Sequence, residues 1–177
     1  ERAISNLTGQ VTDARTKALQ GIVDSNRRQQ LGMMQQLPQE RHIIGCGAVG
    51  AMEGAVQRTI DYCKEREAFG KPIIHFQNTK FKLAECKTRT VVARSFLDTC
   101  IAAHLKNELS VETAAMCKYW LTDEQNQVID ECFQLHGGYG FIKESGVERL
   151  MRDAKITQIY EGTSEIQRMV IARDILK

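Results

Sequence analysis

Residues 77–105 read QNTKFKLAECKTRTVVARSFLDTCIAAHL, and this stretch decides the fold class. Apolar and small side chains recur along it at steps of three and four residues, the spacing at which side chains share one face of an α-helix. The residues expected to face inward are Phe81, Ala84, Val91, Val92, Ala93, Phe96, Cys100, Ile101 and Leu105. The stretch is therefore predicted to be one long amphipathic helix.

Further amphipathic helices are predicted on both sides of this one, at residues 40–64, 110–135, 146–155 and 164–176. Ser110 is expected to cap the helix that follows it, and Ser164 with Gln167 three residues on matches a capping-box start. Only two prolines and 6% aromatic residues argue against a sheet protein. Four long segments with short connections predict an all-α fold, an antiparallel (up-and-down) four-helix bundle with extra short helices.

The first 30 residues carry a weaker helical pattern. Glycines at positions 9 and 21 lower its helix propensity, and Pro38 marks a boundary after it. The small apolar stripe of this segment consists of Ile4, Leu7, Val11, Ala14 and Ala18. We therefore expect an accessory helical segment of unknown role at residues 1–30 and the bundle domain at residues 31–177.

The composition argues against several classes of protein. The chain has 177 residues, of which 42% are hydrophobic and 26% charged, as in ordinary globular proteins. Its 24 Lys and Arg are interleaved with 22 Asp and Glu, so the net charge of +2 argues against a nucleic-acid-binding protein. No uncharged apolar stretch approaches the ~20 residues of a membrane-spanning helix.

The six cysteines, at positions 46, 63, 86, 100, 117 and 132, form no C-x-x-C pair. No histidine lies at a ligand spacing from a cysteine, so no metal site is expected. We interpret these residues as reduced, buried thiols in a reducing compartment. Their even number leaves a disulfide framework as the alternative.

Residues 45–50 read GCGAVG and match the dinucleotide-binding fingerprint G-x-G-x-x-G. That fingerprint requires a strand before it and a helix after it, whereas the residues before Gly45 already follow a helical pattern. We therefore interpret these glycines as positions where two helices approach closely.

Three glycine-containing segments carry the functional signal. They read REAFGK at 66–71, with Gln77 shortly after, QLHGGYG at 134–140, and RDAKITQIYEGTSEIQ at 152–167. Each joins exposed glycine backbone to polar side chains at the end or start of a helix. Backbone N–H groups in such turns can bind the phosphates of a ligand.

Together, in this order and spacing, the three segments resemble the C-terminal helical domain of the acyl-CoA dehydrogenase flavoenzymes. The resemblance spans about residues 31–177, and LPQER at residues 37–41 looks most like the long-chain branch. It implies an FAD-dependent enzyme that removes the α proton of an acyl-CoA thioester while the β hydrogen leaves as hydride to the flavin. The implied product is a trans-2-enoyl-CoA.

The resemblance also implies partners and a compartment. Electron-transfer flavoprotein is the implied electron acceptor, and a homo-oligomer, dimer or tetramer, is the implied assembly. Apolar residues on several sides of the long helices agree with burial against other subunits. The implied compartment is the mitochondrial matrix or a bacterial cytoplasm.

Motif positions in the family imply roles for individual residues. Three residues would contact the FAD of a neighbouring subunit, Arg66, Phe69 and Gln77, and three would hold its pyrophosphate, Gln134, Gly137 and Gly138. Thr163 and Glu165 would contact the FAD of their own subunit. Gly162 would lie against the thioester, and Arg41 would line the acyl-CoA site.

The catalytic base has two candidates. Most of the family carries it directly after the tyrosine of the last turn, here Glu161, whereas the long-chain and isovaleryl branches carry it on the helix that here holds Glu40. Two carboxylates close together would titrate as a coupled pair. We favour Glu161 because its glycine-flanked turn gives access to substrate, while Glu40 can be read as a first-turn acid beside Arg41.

The family's N-terminal helical domain and middle β domain are not visible in this sequence. We therefore expect a fragment, or one chain of a split enzyme, that is inactive and poor in flavin when alone. A non-catalytic helical oligomerisation module is the alternative from another class. Acyl-CoA oxidase and flavin monooxygenase of the same fold are the alternatives among enzymes, and Glu161 disfavours the monooxygenase.

Overall fold

A computed structural model of the chain describes the backbone of residues 2–176 and the side chains of residues 17, 20, 21, 23–25 and 39–176. The elements are, in order, α1 (Arg2–Glu65), β1 (Glu67–Ala68), β2 (Lys71–Pro72), a 3-10 helix (Ile73–His75), α2 (Gln77–Leu105), α3 (Val111–His136), α4 (Gly138–Phe141), a second 3-10 helix (Lys143–Ser145), α5 (Val147–Thr157) and α6 (Ser164–Ile175). The predicted all-α fold is confirmed.

The chain comprises two compact units, Glu1–Leu37 and Pro38–Lys177. In the first unit the described backbone is helical, and the exposed Gln20 donates to Asp24 one turn later over 3.3 Å. The apolar stripe predicted for residues 4–18 lies outside the described side chains. The separate helices predicted at residues 1–30 and 40–64 are wrong, because helical backbone continues through Pro38 in one element, Arg2–Glu65. The division into two units nevertheless falls at Leu37 and Pro38.

In the second unit, α3 is the central helix and packs against α2, α5 and α6. Its core draws residues from several helices, among them Ala48, Val49 and Met52 of α1, Ala93 and Leu97 of α2, and Leu121, Val128 and Ile129 of α3. Burying one such large apolar side chain contributes about 1.5–3 kcal/mol to the free energy of unfolding. All six cysteines are free thiols and five of them are buried.

The predicted inward face of α2 is largely wrong. Four of its residues are more than half exposed, namely Phe81 (58%), Val91 (51%), Val92 (51%) and Leu105 (77%). The prediction is right for Ala93 and Cys100, which are fully buried. The buried face as a whole consists of Thr79, Leu83, Cys86, Thr90, Ala93, Leu97 and Cys100, spaced alternately four and three residues apart. Small residues suit this seam because α2 and α3 pack closely, and the Thr90 hydroxyl satisfies its hydrogen-bonding capacity by donating to the Cys86 carbonyl.

Of the two predicted helix caps, the one at the start of α3 is confirmed and the one at the start of α6 is wrong. Ser110 caps α3, accepting a hydrogen bond from the Thr113 N–H over 3.1 Å. The cap of α6 is Thr163 rather than Ser164, and its hydroxyl accepts from the Ile166 N–H over 3.4 Å. The capping box fails because Ser164 has already entered the helix and the Gln167 side chain turns back to the preceding loop.

The GCGAVG sequence lies inside α1, as the helical interpretation requires. A Cβ atom on Gly45 would lie 2.9 Å from Cys117 Sγ and 3.0 Å from Leu121 Cδ1. A Cβ atom on Gly47 or Gly50 would meet nothing within 4 Å. Only the first glycine therefore lets α1 approach α3, and the resemblance to a nucleotide-binding fingerprint has no structural counterpart.

Candidate active site

Both candidate carboxylates line one cleft of about 590 Å³. Glu40 comes from α1, and Glu161 comes from the turn between α5 and α6. Most of the other lining side chains are apolar or uncharged, namely Ile43, Ile44, Ala48, Ala51, Gln125, Leu150, Thr157 and Tyr160, with Asp153 as a third carboxylate. The cleft thus combines apolar lining with three carboxylates.

The turn that carries Glu161 has an uncommon backbone conformation. Glu161 has φ +52° and Gly162 has φ +89°, both in the left-handed half of φ space. The Ser164 N–H donates to the Gln158 carbonyl over 3.1 Å and closes the loop. Asp123 on α3 ties both ends of the turn, accepting from Gln158 Nε2 over 2.7 Å and from Ser164 Oγ over 3.3 Å.

Two buried side chains hold the tip of this turn, and sequence reasoning missed both roles. Lys118 Nζ donates to the Gly162 carbonyl over 2.7 Å. Gln167 Nε2 donates to the Glu161 carbonyl over 3.2 Å and to the Gly162 carbonyl over 3.0 Å. Lys118 could have been noticed as a charged residue beside the apolar positions Cys117 and Leu121, both of which are fully buried.

Arg41 is buried beside the exposed Glu40, with 4% of its surface exposed. Among the described residues, its Nε and Nη1 atoms have no hydrogen-bond partner. Burial lowers the pKa of the Arg41 guanidinium, and the charge of Glu40 opposes that shift. A guanidinium with unpaired nitrogen atoms can bind a carbonyl oxygen or an anionic group of a ligand.

The REAFGK segment forms a small β-hairpin after α1, an element that the sequence analysis did not predict. Glu67 pairs with Pro72 and Ala68 with Lys71, and the two turn residues Phe69 and Gly70 have φ of +53° and +77°. Positive φ at both turn residues matches the twist of a two-residue hairpin. Phe69 is 96% exposed at the tip, which makes its ring available to a ligand or another protein chain.

The QLHGGYG segment lies next to this hairpin. The Arg66 guanidinium lies over the Tyr139 ring, 5.3 Å from its centroid. The Tyr62 ring stacks on His136 at 4.3 Å, and its hydroxyl donates to the His136 carbonyl over 3.2 Å. A second cleft, of about 720 Å³, is lined in part by Tyr62, His136 and Tyr139.

The glycines after α3 present open backbone. Gly137 has φ +56° and ψ −138°, a conformation that side chains disfavour, and it ends α3. A Cβ atom on Gly137 or Gly138 would meet nothing within 4 Å. Gln134 and Gln77 are both exposed, at the end of α3 and the start of α2.

Thr163 and Glu165 stand at the N-terminus of α6. The Glu165 carboxyl accepts a hydrogen bond from the backbone N–H of Glu165, which lowers its pKa. A hydrogen bond from the Thr163 hydroxyl lowers this pKa further. The structure therefore groups the predicted site residues in two places. Arg66 contacts Tyr139, which lines the second cleft, whereas Glu40 and Glu161 line the first. Arg41, Thr163 and Glu165 are close neighbours of these two carboxylates in the chain.

Among the described residues, no three His, Cys, Asp or Glu side chains are grouped so that they could hold a metal ion. Within the same part of the chain, no helix has the length and apolar character required to cross a membrane.

Comparison with known proteins identifies the family. The family model described as "Acyl-CoA dehydrogenase, C-terminal domain" matches residues 32–176. The chain therefore belongs to the acyl-CoA dehydrogenase family of flavin-dependent oxidoreductases and corresponds to the C-terminal domain of its members.

The relatives include a member of the long-chain branch, which residues 37–41 resemble, and other acyl-CoA dehydrogenases. The mitochondrial long-chain specific acyl-CoA dehydrogenase of Sus scrofa is 44% identical over 144 residues, which cover 81% of this chain and 34% of the relative. An acyl-CoA dehydrogenase of Bacillus subtilis is 41% identical over 133 residues, 75% of this chain and 35% of that protein. The crystal structure of acyl-CoA dehydrogenase from Geobacillus kaustophilus superposes with a TM-score of 0.79 at 38% identity, covering 81% of this chain and 38% of that one. The chain thus spans about a third of the length of these relatives.

Proposed function

We propose that this chain supplies the catalytic base and parts of the FAD and acyl-CoA sites of an acyl-CoA dehydrogenase that converts acyl-CoA to trans-2-enoyl-CoA. The observation that carries the proposal is the shared cleft, which Glu161 and Glu40 line together with several apolar side chains. Apolar lining suits the acyl chain, and a carboxylate in the same cleft suits removal of a proton from the carbon beside the thioester.

Glu161 is the base in this proposal. Its backbone lies in a left-handed turn that side chains of α3 and α6 hold by hydrogen bonds, so the backbone at the proposed base is held in place. Glu40 is the alternative base because it lines the same cleft from α1. If Glu161 abstracts the proton, Glu40 serves as a nearby second carboxylate.

Arg41 and Gly162 bind the acyl-CoA substrate in this scheme. The two unpartnered nitrogen atoms of Arg41 are buried donors that fit an oxygen of the ligand. Gly162 lacks a side chain at the residue after the base, and a Cβ atom there would lie 2.7 Å from Gln167 Nε2. Glycine at this position therefore leaves room for the Gln167 side chain that holds the turn, and the thioester would lie against the glycine backbone.

The open backbone at Gly137 and Gly138 fits a bound pyrophosphate, since no atom of the chain fills the space that a Cβ atom would occupy. Arg66, Phe69, Gln77 and Gln134 would hold FAD with these glycines, and Thr163 and Glu165 would hold FAD from the other cleft. When bound, the flavin supplies the acceptor for the hydride that leaves the β carbon. Because Arg66 contacts Tyr139 at one cleft and Glu161 lines the other, we infer that the two groups of residues serve the flavins of two different subunits.

This arrangement requires a homo-oligomer, a dimer or a tetramer. Exposed apolar side chains such as Phe69 and Phe81 agree with surfaces that are covered in the assembly. We propose electron-transfer flavoprotein as the electron acceptor, and the mitochondrial matrix or a bacterial cytoplasm as the compartment, since the relatives include mitochondrial and bacterial enzymes.

Replacement of each candidate base tests the proposal. In the holoenzyme that contains this segment, Glu161→Gln is expected to lower kcat by about 10²–10⁴-fold, because a neutral amide cannot accept the α proton. Glu40→Gln, the matched control in the same cleft, is expected to retain kcat within about threefold. Turnover is measured with a dye as electron acceptor, and loss of activity in Glu40→Gln alone would transfer the role of base to Glu40.

A further inference from the structure

The turn that presents Glu161 is held by two side chains that line neither of the two clefts described above. Lys118 and Gln167 reach it from two different helices, α3 and α6. Both are fully buried, with 0% of their surface exposed. Their donors converge on two adjacent carbonyl groups, those of Glu161 and Gly162.

These two carbonyl groups flank the proposed base on its C-terminal side. Glu161 has φ +52°, a conformation that an L-residue with a side chain disfavours. Gly162 continues in the left-handed region at φ +89°. These backbone angles set the direction in which the Glu161 side chain leaves the turn, so the groups that hold the two carbonyls also hold the base of that side chain.

Burying the Lys118 ammonium costs free energy of folding unless the ammonium finds hydrogen-bond partners. Burial lowers the pKa of the Lys118 ammonium, and the nearby charge of Arg41 lowers it further, whereas the charges of Asp123, Glu161 and Glu165 oppose the shift. The ammonium donates to the Gly162 carbonyl over 2.7 Å, the shortest of the hydrogen bonds to the tip of the turn. A neutral apolar residue of the same length would fill the site without the desolvation cost. The hydrogen bond to the Gly162 carbonyl is therefore the role that we assign to the lysine.

We propose that Lys118 and Gln167 are positioning residues that hold the left-handed Glu161–Gly162 turn and so direct the Glu161 carboxylate toward the substrate. This inference rests on the proposed function, because it assumes that Glu161 reacts. It assigns Lys118 and Gln167 no contact with substrate or flavin.

The Ser164 amide provides a local readout of the turn. It donates to the Gln158 carbonyl across the loop over 3.1 Å, so its hydrogen exchange reports opening of the turn. The amides of Val128 and Ile129, in the buried middle of α3, report the stability of the bundle. Comparison of the two rates separates local loosening from general destabilisation.

Lys118→Met and Gln167→Met remove the donors while keeping similar side-chain length. Asn126→Leu is the matched control, because Asn126 also reaches from α3 to a backbone carbonyl of another helix, that of Ala154 in α5, over 2.9 Å. All three variants are compared in the holoenzyme by hydrogen exchange and by steady-state kinetics.

Both methionine variants are expected to exchange the Ser164 amide at least about tenfold faster than wild type, with the α3 amides changed by less than about twofold. Their kcat is expected to fall by roughly 10–100-fold with KM within about threefold, since a displaced base slows the chemical step more than it weakens binding. Asn126→Leu is expected to leave the Ser164 exchange rate and kcat within about twofold of wild type.

The inference is overturned if the Ser164 amide of either methionine variant exchanges at the wild-type rate, or if Asn126→Leu reproduces the loss of kcat. Should Lys118→Met not fold, Gln167→Met alone decides the question, because it removes both hydrogen bonds that Gln167 makes to the turn. Failure of the proposed function is seen separately, as full turnover by Glu161→Gln, and does not alter what the exchange rates report about the turn.

Discussion

At the scale of single residues, the two candidate bases differ in the backbone that carries them. Glu40 stands on the helix α1, where side chains point in directions that the helix dictates. Glu161 stands in a left-handed turn at φ +52°, which the surrounding hydrogen bonds must maintain. A disfavoured backbone conformation at a reactive position is a frequent property of functional sites, and it supports Glu161 as the base.

The conformation of Gly162 leads to a prediction about stability. Gly162→Ala is expected to lower the free energy of unfolding by roughly 2–4 kcal/mol, about half from the left-handed backbone and half from displaced hydrogen bonds of Gln167. The physical reason is that φ is +89° and the new Cβ atom would lie 2.7 Å from Gln167 Nε2. Urea unfolding measures the change.

Gly70→Ala is the control for the backbone contribution. Gly70 also has a positive φ, +77°, but a Cβ atom there would meet nothing within 4 Å. Its cost should therefore be limited to about 1–2 kcal/mol. Equal costs for the two alanine variants would show that the contact between Gly162 and Gln167 contributes nothing.

At the scale of helices, the packing of α1 on α3 depends on one glycine of the three in GCGAVG. Gly45→Ala is expected to lower the free energy of unfolding by about 1–3 kcal/mol, because the added methyl group would overlap Cys117 and Leu121. In Gly50→Ala the same methyl group meets nothing within 4 Å, and the higher helix propensity of alanine is expected to add about 1 kcal/mol. Opposite signs in urea unfolding confirm the close approach, and a stabilising Gly45→Ala would contradict it.

The helix α2 shows which features of a helix its sequence pattern predicts, namely its bounds but not its buried face. The bounds of α2, Gln77–Leu105, match the predicted segment, because breakers and caps act locally along the chain. The inward face of α2 was predicted wrongly because the packing seam uses Thr79, Thr90 and other small residues, whereas Val91 and Val92 are exposed in this chain. Hydropathy alone does not distinguish a seam that packs within the chain from a surface available to another subunit.

At the scale of the whole molecule, the separation of the two clefts leads to a prediction of complementation between subunits. Glu161→Gln and Arg66→Ala are each expected to inactivate the holoenzyme when expressed alone. In a mixed dimer, one active site would combine an intact Glu161 with the partner's intact Arg66, and the other would carry both changes. Random mixing is therefore expected to restore roughly a quarter of wild-type turnover.

The control for complementation mixes Glu161→Gln with a chain that carries both Glu161→Gln and Arg66→Ala. Every site in that mixture lacks the base, so no recovery is expected. If the Glu161→Gln and Arg66→Ala mixture also stays inactive although mixed oligomers form, then both residues act on the same flavin within one subunit, and the two-cleft arrangement is wrong.

The sequence alone determined the helical class, the limits of most helices, the Ser110 cap and the three segments that point to the acyl-CoA dehydrogenase family, because each of these depends on residues near one another in the chain. Only the tertiary structure decided that Glu40 and Glu161 line one cleft, that Arg66 meets Tyr139 at another, and that Lys118 and Gln167 hold the turn between α5 and α6. These contacts join residues from separate helices, and their geometry is set by which helix faces pack together rather than by any local pattern.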